Sequence, residues 1–302
     1  MDRRSVIKHA GIAGVLAAGA APAVHAQAVV RWRLTSAFPK ALDTIFGAAD
    51  VFSKQVKAMS GGKFEISVHP SGELVGGFGQ VDALQNGTVE MAHTAPYYYF
   101  GKDPTFALGC AIPFGFNSRQ MTAWYQEGNG QKLMREFYNN FNIISFIGGN
   151  TGAQMGGWFR KEIKSVADIK GLKFRTGGFS GVIWEKIGGV AQSIPGGEIY
   201  TALEKGTIDA AEWVGPYDDE KLGFNKVAPF YAYPVTGKAA RSWTSSSTPK
   251  RTTRCRPRTR PSSRPRPPWL LWTCRPSTMP ATRPRSSAWW LAAPSCSASP
   301  RR

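Results

Sequence analysis

Histidine and cysteine are scarce in this chain, and those present stand apart. Of four cysteines only Cys110 lies outside the last 62 residues, so the body has no partner for an intramolecular disulfide and no thiolate cluster for zinc. Apart from His9 and His25 near the start, the only histidines are His69 and His93. That leaves little for a catalytic triad, and there is neither a Gly-x-Ser-x-Gly elbow nor a His/Cys metal motif. The expectation is a protein that is not an enzyme. The one long apolar run, Ala10 to Ala21, is too short to span a membrane.

Acidic residues and glycine are missing together from one region. Residues 241–302 hold thirteen Arg and one Lys against no Asp or Glu, and all 33 glycines lie before them. The whole-chain charge of +18 is therefore an end effect, because the rest carries 24 basic and 20 acidic side chains. A large uniform charge would point to nucleic acid or a membrane surface; a nearly neutral body does not. Arg, Pro, Ser, Thr, Cys and five tryptophans dominate the end of the chain. A disordered basic arm explains the charge but not the tryptophans or the missing Gly, Asn and Gln. A GC-rich gene read out of register explains both. Val235-Thr-Gly-Lys-Ala-Ala240 back-translates, shifted by one nucleotide, to Gly-Asp-Trp-Lys-Gly-Gly, which sets the break near Val235. Residues 235–302 are thus expected to be an out-of-frame, disordered tail, with DNA binding by that tail as the competing reading.

What is present begins with a leader. Arg3-Arg4-x-Val-Ile-Lys8, the Gly/Ala-rich run and Val24-His25-Ala26 form the three regions of an export signal over residues 1–26. The paired arginines fit the twin-arginine type, and an ordinary secretion signal is the alternative. Both place the working protein in the periplasm. Val29 to Ser36 alternates as a strand, Ala41 to Met59 repeats as a helix, and Phe64 to Val68 is a second strand, together a right-handed βαβ unit. A single helix is expected over Met121 to Tyr138, then a buried strand over Ile143 to Ile147. Gly77-Phe-Gly79 lacks what a phosphate loop requires.

An internal echo supplies the organisation. Residues 83–92, Ala-Leu-Gln-Asn-Gly-Thr-Val-Glu-Met-Ala, return 119 positions later as Ala-Leu-Glu-Lys-Gly-Thr-Ile-Asp-Ala-Ala over 202–211. Two similar α/β lobes, 27–150 and 151–234, follow, each with a helix-Gly-strand unit and with a cleft between them. Glu212 and Trp213 stand where the second copy's strand runs out, either a ligand site or a solvated acid beside a core aromatic. Tyr97, Tyr98 and Tyr99 follow the first copy's strand, as a hydrogen-bonding wall or as packing. Arg175 ends the strand Gly171-Leu-Lys-Phe-Arg175; its fork suits a carboxylate, and a structural ion pair is the alternative.

Three segments, Asn150-Thr-Gly-Ala-Gln154-Met-Gly-Gly-Trp158-Phe-Arg-Lys-Glu162, Gly171-Leu-Lys-Phe-Arg175 and Ala211-Glu212-Trp213-Val-Gly-Pro-Tyr-Asp-Asp-Glu-Lys-Leu-Gly-Phe224, carry a family resemblance. Over about residues 28–234 the chain resembles the extracytoplasmic solute receptors of TRAP transporters, the DctP family, and most of all their 2-oxo-acid-binding, TakP-like branch. The resemblance implies a two-lobed periplasmic binding fold with mostly parallel sheets. It implies capture of a small monocarboxylate such as pyruvate, with lactate or a C4-dicarboxylate as alternatives, and delivery to a membrane permease. Arg175 would pair with the substrate carboxylate, Gln154 would touch substrate and a cation, and Glu212 with the Trp213 carbonyl would hold that cation. Asn150, Tyr97 and Tyr99 carry over as further substrate contacts. Intact members of the branch also form dimers.

A cation has a physical reason here. An anion about 4 Å from Glu212 is repelled by roughly 4 kcal/mol at an effective dielectric near 20, and a metal between them reverses the sign. Carboxylate, amide and carbonyl oxygens are hard ligands, which suits Na⁺ or Ca²⁺. The chain departs from the family after Val235, where the family continues with further crossovers, a Trp- and Gly-rich pocket segment and a long helix. On that ground the lobes are expected to lose their second and third crossovers and the site to stay unclosed; a cooperative melt with ligand-induced stabilisation would overturn this.

Overall fold

The computed structural model describes residues 29–233 and, by backbone alone, the strand 242–247. The leader over 1–26 and the rest of the tail over 235–302 lie outside the described residues.

The first sheet starts as its pattern dictates. In β1 (Val30–Ser36) Trp32 and Leu34 turn inward while Arg31 and Arg33 face out. Helix α1 (Phe46–Met59) then leads to β2 (Phe64–His69), parallel to β1 from Val30 beside Phe64 to Thr35 beside His69. The expected helix from Ala41 starts later, because Ala41 to Ile45 forms turns. Helix α2 (Gln80–Gln85) enters β3 (Met91–Thr94), whose four residues are all buried and which pairs parallel with β1 on its other side. Three helices follow: α3 (Thr105–Leu108), α4 (Ser118–Gln126) and α5 (Gly130–Asn139). The single helix expected over 121–138 is two. Asn117 caps α4 by accepting from the Gln120 amide at 2.9 Å, and Gly128-Asn129-Gly130 interrupts the run. Strand β4 (Ile144–Asn150) closes this stretch.

The chain then crosses over 151–156 into β5 (Gly157–Phe159). It continues through β6 (Lys173–Arg175), α6 (Phe179–Lys186), β7 (Val190–Gln192), α7 (Ile199–Glu204), β8 (Ala210–Ala211), α8 (Pro216–Lys221) and β9 (Phe230–Ala232). The second sheet runs β7-β6-β8-β5-β9, with β6 parallel to β7 and β8, and with β5 antiparallel to β8 and β9.

Strand β10 (Ser242–Ser247) corrects the expectation for the tail. It returns to the first sheet, between and antiparallel to β3 and β4, giving the order β2-β1-β3-β10-β4. The run Ser-Trp-Thr-Ser-Ser-Ser suits an extended backbone, and the facing edges of β3 and β4 supply its partners. A second crossing is therefore retained, whatever the reading frame of its codons.

Each sheet thus has four strands in one direction and one reversed, and the reversed strand in each follows a crossing from the other lobe. The echo falls on matching places. The unit α2–Gly87–β3 and the unit α7–Gly206–β8 supply the third strand of each sheet, with φ of +69° at Gly87 and +70° at Gly206. Only glycine enters that left-handed region without a steric cost. In both, the chain folds back on the helix: the Thr88 amide donates to the Ala83 carbonyl at 2.9 Å, and Ile208 to Ala202 at 3.3 Å. One buried apolar cluster joins the lobes, with Phe38, Leu42 and Ile45 from the first and Ile199, Leu203, Trp213 and Phe224 from the second.

Candidate functional site

The site forms at the C-terminal ends of β6 and β8, where open parallel sheets present their chain ends to a crevice. Arg175 and Ala211 are register partners, so Glu212 emerges beside Arg175. The Arg175 Nη1 donates to the Glu212 carbonyl oxygen at 2.8 Å and to Glu212 Oε1 at 3.0 Å, and Nε donates to the Ile194 carbonyl at 3.0 Å. The guanidinium carbon lies 5.0 Å from the centre of the Trp213 ring. Arg175 and Glu212 are each only 2% exposed. Such a pair offsets the large cost of desolvating either charge alone, and each partner depends on the other. Of the two readings of Arg175, the structure shows the ion pair, made with Glu212.

Gln154 arrives from the crossing. Met155 donates to the Val214 carbonyl at 3.0 Å and Gly156 to the Ala232 carbonyl at 2.9 Å, which pins the 151–156 segment beside the turn after Glu212. The Gln154 Nε2 donates to Thr151 Oγ1 at 2.9 Å, while Oε1 is buried with no hydrogen-bond partner among the described residues. Thr176 Oγ1, Trp213 Nε1 and the Tyr98 hydroxyl are buried in the same condition. Native interiors seldom leave polar atoms so, unless a water, ion or ligand completes them. Asn150 shapes the same crossing: its Oδ1 accepts from the Gly152 amide at 2.8 Å.

The tyrosines part company. Tyr97 packs across the cleft against Gly177 and Gly178, just beyond Arg175; a Cβ at either glycine would lie 3.3 Å from it. Tyr99 turns into the first lobe, its hydroxyl bonded to Thr94 Oγ1 at 2.9 Å and donating to Gln80 Oε1 at 3.1 Å, with its ring 5.5 Å from Phe106. Burial pushes its phenol well above the usual range. Of the residues expected to form a wall, Tyr97 reaches the crevice and Tyr99 does not, because two buried partners, Gln80 and Thr94, hold its hydroxyl.

These donors suit a hard cation. The Glu212 carboxylate, the unsatisfied Gln154 Oε1 and the Trp213 carbonyl are all oxygens, and no group of three or more His, Cys, Asp and Glu able to hold a metal exists among the described residues. His93 lies in the first lobe, its Nδ1 3.2 Å from Ser36 Oγ and its ring 5.0 Å from that of Phe38, and burial pushes its imidazole down to about 3.

Sequence reasoning missed Asp219, which is 1% exposed in the first turn of α8. Its Oδ1 accepts from the amides of Val214 at 2.9 Å and Gly215 at 3.1 Å, and its Oδ2 from Trp158 Nε1 and the Tyr231 hydroxyl, both at 3.0 Å. Burial pushes its carboxyl up to about 6 against the lowering effect of those bonds. The signal was an acid in the first turn after Pro216, ordinarily read as a dipole partner on a surface.

Two five-stranded α/β sheets with a cluster of buried polar groups at strand ends have the architecture of a two-lobed binding protein. The chain belongs to the DctP family, bacterial extracellular solute-binding protein family 7, whose pattern matches residues 35–241. It is 55% identical over 205 residues to a monocarboxylate 2-oxoacid-binding periplasmic protein of Nostoc, a match covering 68% of this chain and 56% of the relative. This chain therefore spans little more than half of that relative's length. A TRAP transporter solute-binding protein from Bordetella bronchiseptica, a mixed-occupancy dimer with copurified calcium and picolinate, is 50% identical at a TM-score of 0.74. That match covers 76% of this chain and 68% of the other. A TRAP periplasmic solute-binding protein from Pseudoalteromonas atlantica with bound sodium and pyruvate is 40% identical at a TM-score of 0.73, covering 76% and 69%.

Proposed function

We propose that this chain is the periplasmic receptor of a TRAP transporter, capturing a 2-oxo monocarboxylate such as pyruvate together with Na⁺ or Ca²⁺ and delivering it to membrane permease subunits. The observation that carries this is the buried Arg175–Glu212 pair beside the unsatisfied amide oxygen of Gln154. An arriving carboxylate competes for the guanidinium, and a cation takes over Glu212. The charges of arginine, glutamate, substrate and one monovalent cation then sum to zero in a dry site, whereas without the cation a buried negative charge is left over. Glu212, the Gln154 Oε1 and the Trp213 carbonyl would hold the cation, and Tyr97 would close the crevice from the facing lobe. What the named relatives bind supports the same ligand class.

Among the described residues Arg175 is the sole buried arginine or lysine. One buried guanidinium suits one carboxylate, which favours a monoacid over a C4-dicarboxylate; lactate shares the carboxylate and remains the nearest rival. The leader supports periplasmic placement, and pairing of two chains is proposed by likeness to the Bordetella dimer. No role for nucleic acid is proposed.

A melting screen tests the reading. Pyruvate with sodium or calcium at about a hundred times its dissociation constant stabilises by about 2.7 kcal/mol, and removing the cation cancels the gain. Stabilisation by dicarboxylates but not by 2-oxo monoacids would sink the substrate assignment.

A further inference from the structure

We infer that Asp219 is a positioning residue that couples the ligand site to the two chain crossings, a role that rests on the receptor reading above. Its four bonds reach three separate parts of the molecule. Val214 and Gly215 belong to the turn that delivers Glu212 and Trp213; Trp158 lies in β5, just after the first crossing; Tyr231 lies in β9, just before the second. The Trp158 and Tyr231 rings stack at 3.9 Å and the two residues are register partners, so the two second-sheet strands that adjoin the crossings meet at one carboxylate. The connection runs on to Gln154, because Val214, whose amide Asp219 holds, accepts from Met155 through its carbonyl at 3.0 Å.

Chemistry makes an ionised carboxylate the fitting group. Both amides and the indole can only donate, and a carboxylate accepts at both oxygens. Burying an acid this deeply is costly unless several donors compensate it. The compensation here comes from the ligand turn and from both crossing strands at once. Movement of either strand therefore changes the support under Glu212, and cation capture at Glu212 favours one arrangement of the strands.

The experiment uses the full chain with D219N, W158F and the double variant. Asparagine presents an NH₂ to one donor pair, and the indole, having no acceptor, is where the conflict is sharpest. We expect D219N to lower pyruvate affinity at least tenfold and to raise the sodium concentration for half-saturation. W158F in the D219N background should recover most of that loss, because the opposed indole donor is gone. Hydrogen exchange without ligand should show lost protection at both 154–156 and 212–215 in D219N. A variant that melts earlier but keeps both binding constants within twofold of wild type, with those segments still protected, overturns the role. Should D219N fail to fold, Y231F removes one donor and leaves the carboxylate; several-fold weaker affinity supports coupling, and unchanged affinity overturns it. Failure of the wild-type chain to bind any 2-oxo acid would count against the receptor reading, while the exchange pattern still decides the role of Asp219.

Discussion

Glu212 and Arg175 show how far single residues can be read ahead. Each was visible as a polar group at a strand's exit, but their direct contact depends on β6 and β8 being neighbours, which no local pattern states. The pair has a measurable consequence. E212Q strands a buried guanidinium and should cost about 3–5 kcal/mol in denaturant unfolding, with loss of the cation's effect on ligand binding. Replacing both partners by apolar residues should recover most of the stability while leaving the protein unresponsive to ligand. Two buried titratable groups set opposing acid responses. His93 protonates near its ordinary 6.5 when unfolded but only near 3 when folded, so stability falls as pH drops through that interval. Asp219 protonates near 6 when folded and near 3.8 when unfolded, so acidification between those values adds stability and partly offsets the loss. The variant H93Q should therefore gain on wild type in unfolding midpoint as pH falls from about 7 to about 4.5.

At the scale of elements, β1, β2 and the helix-Gly-strand units were legible because burial writes its period into the sequence. The helix break at Gly128-Asn129-Gly130 was overlooked although the buried stripe changes sides across it: Met121 and Tyr125 lie about half a turn round the helix from Met134 and Tyr138. The late start of α1 was equally hidden, since Asp43 and Thr44 are engaged by the other lobe instead of by a helix turn. Strand β10 had no apolar pattern to betray it; its place is set by β3 and β4. Gly87 offers a clean test of the repeated unit, because nothing lies within 4 Å of a Cβ built there and only its φ of +69° resists substitution. G87A should cost about 1–2 kcal/mol in unfolding free energy and leave ligand affinity unchanged.

Across the whole molecule the lobes also touch away from the ligand site. Asp43 in the first lobe receives Lys221 and, at 3.0 Å, the Tyr217 hydroxyl, while Thr44 donates to Asp218 at 2.5 Å. Phe100 meets Phe179 edge-on at 5.0 Å. The Asp43 side chain is 62% exposed, so its ion pair is screened and contributes at most about 1 kcal/mol to closure. D43N should weaken ligand affinity by no more than about fivefold, and the difference should shrink as salt is raised. Titration calorimetry at two ionic strengths checks this.

The middle position of β10 governs the order in which the molecule can be made. A nascent chain that has emerged as far as β4 possesses four strands of its first sheet but leaves a gap between two of them, and the filler is encoded nearly a hundred residues further on. The first half cannot seal its sheet during synthesis until that strand arrives. The second half must be threaded out and turned back before the first can seal, so folding is completed only after both halves exist.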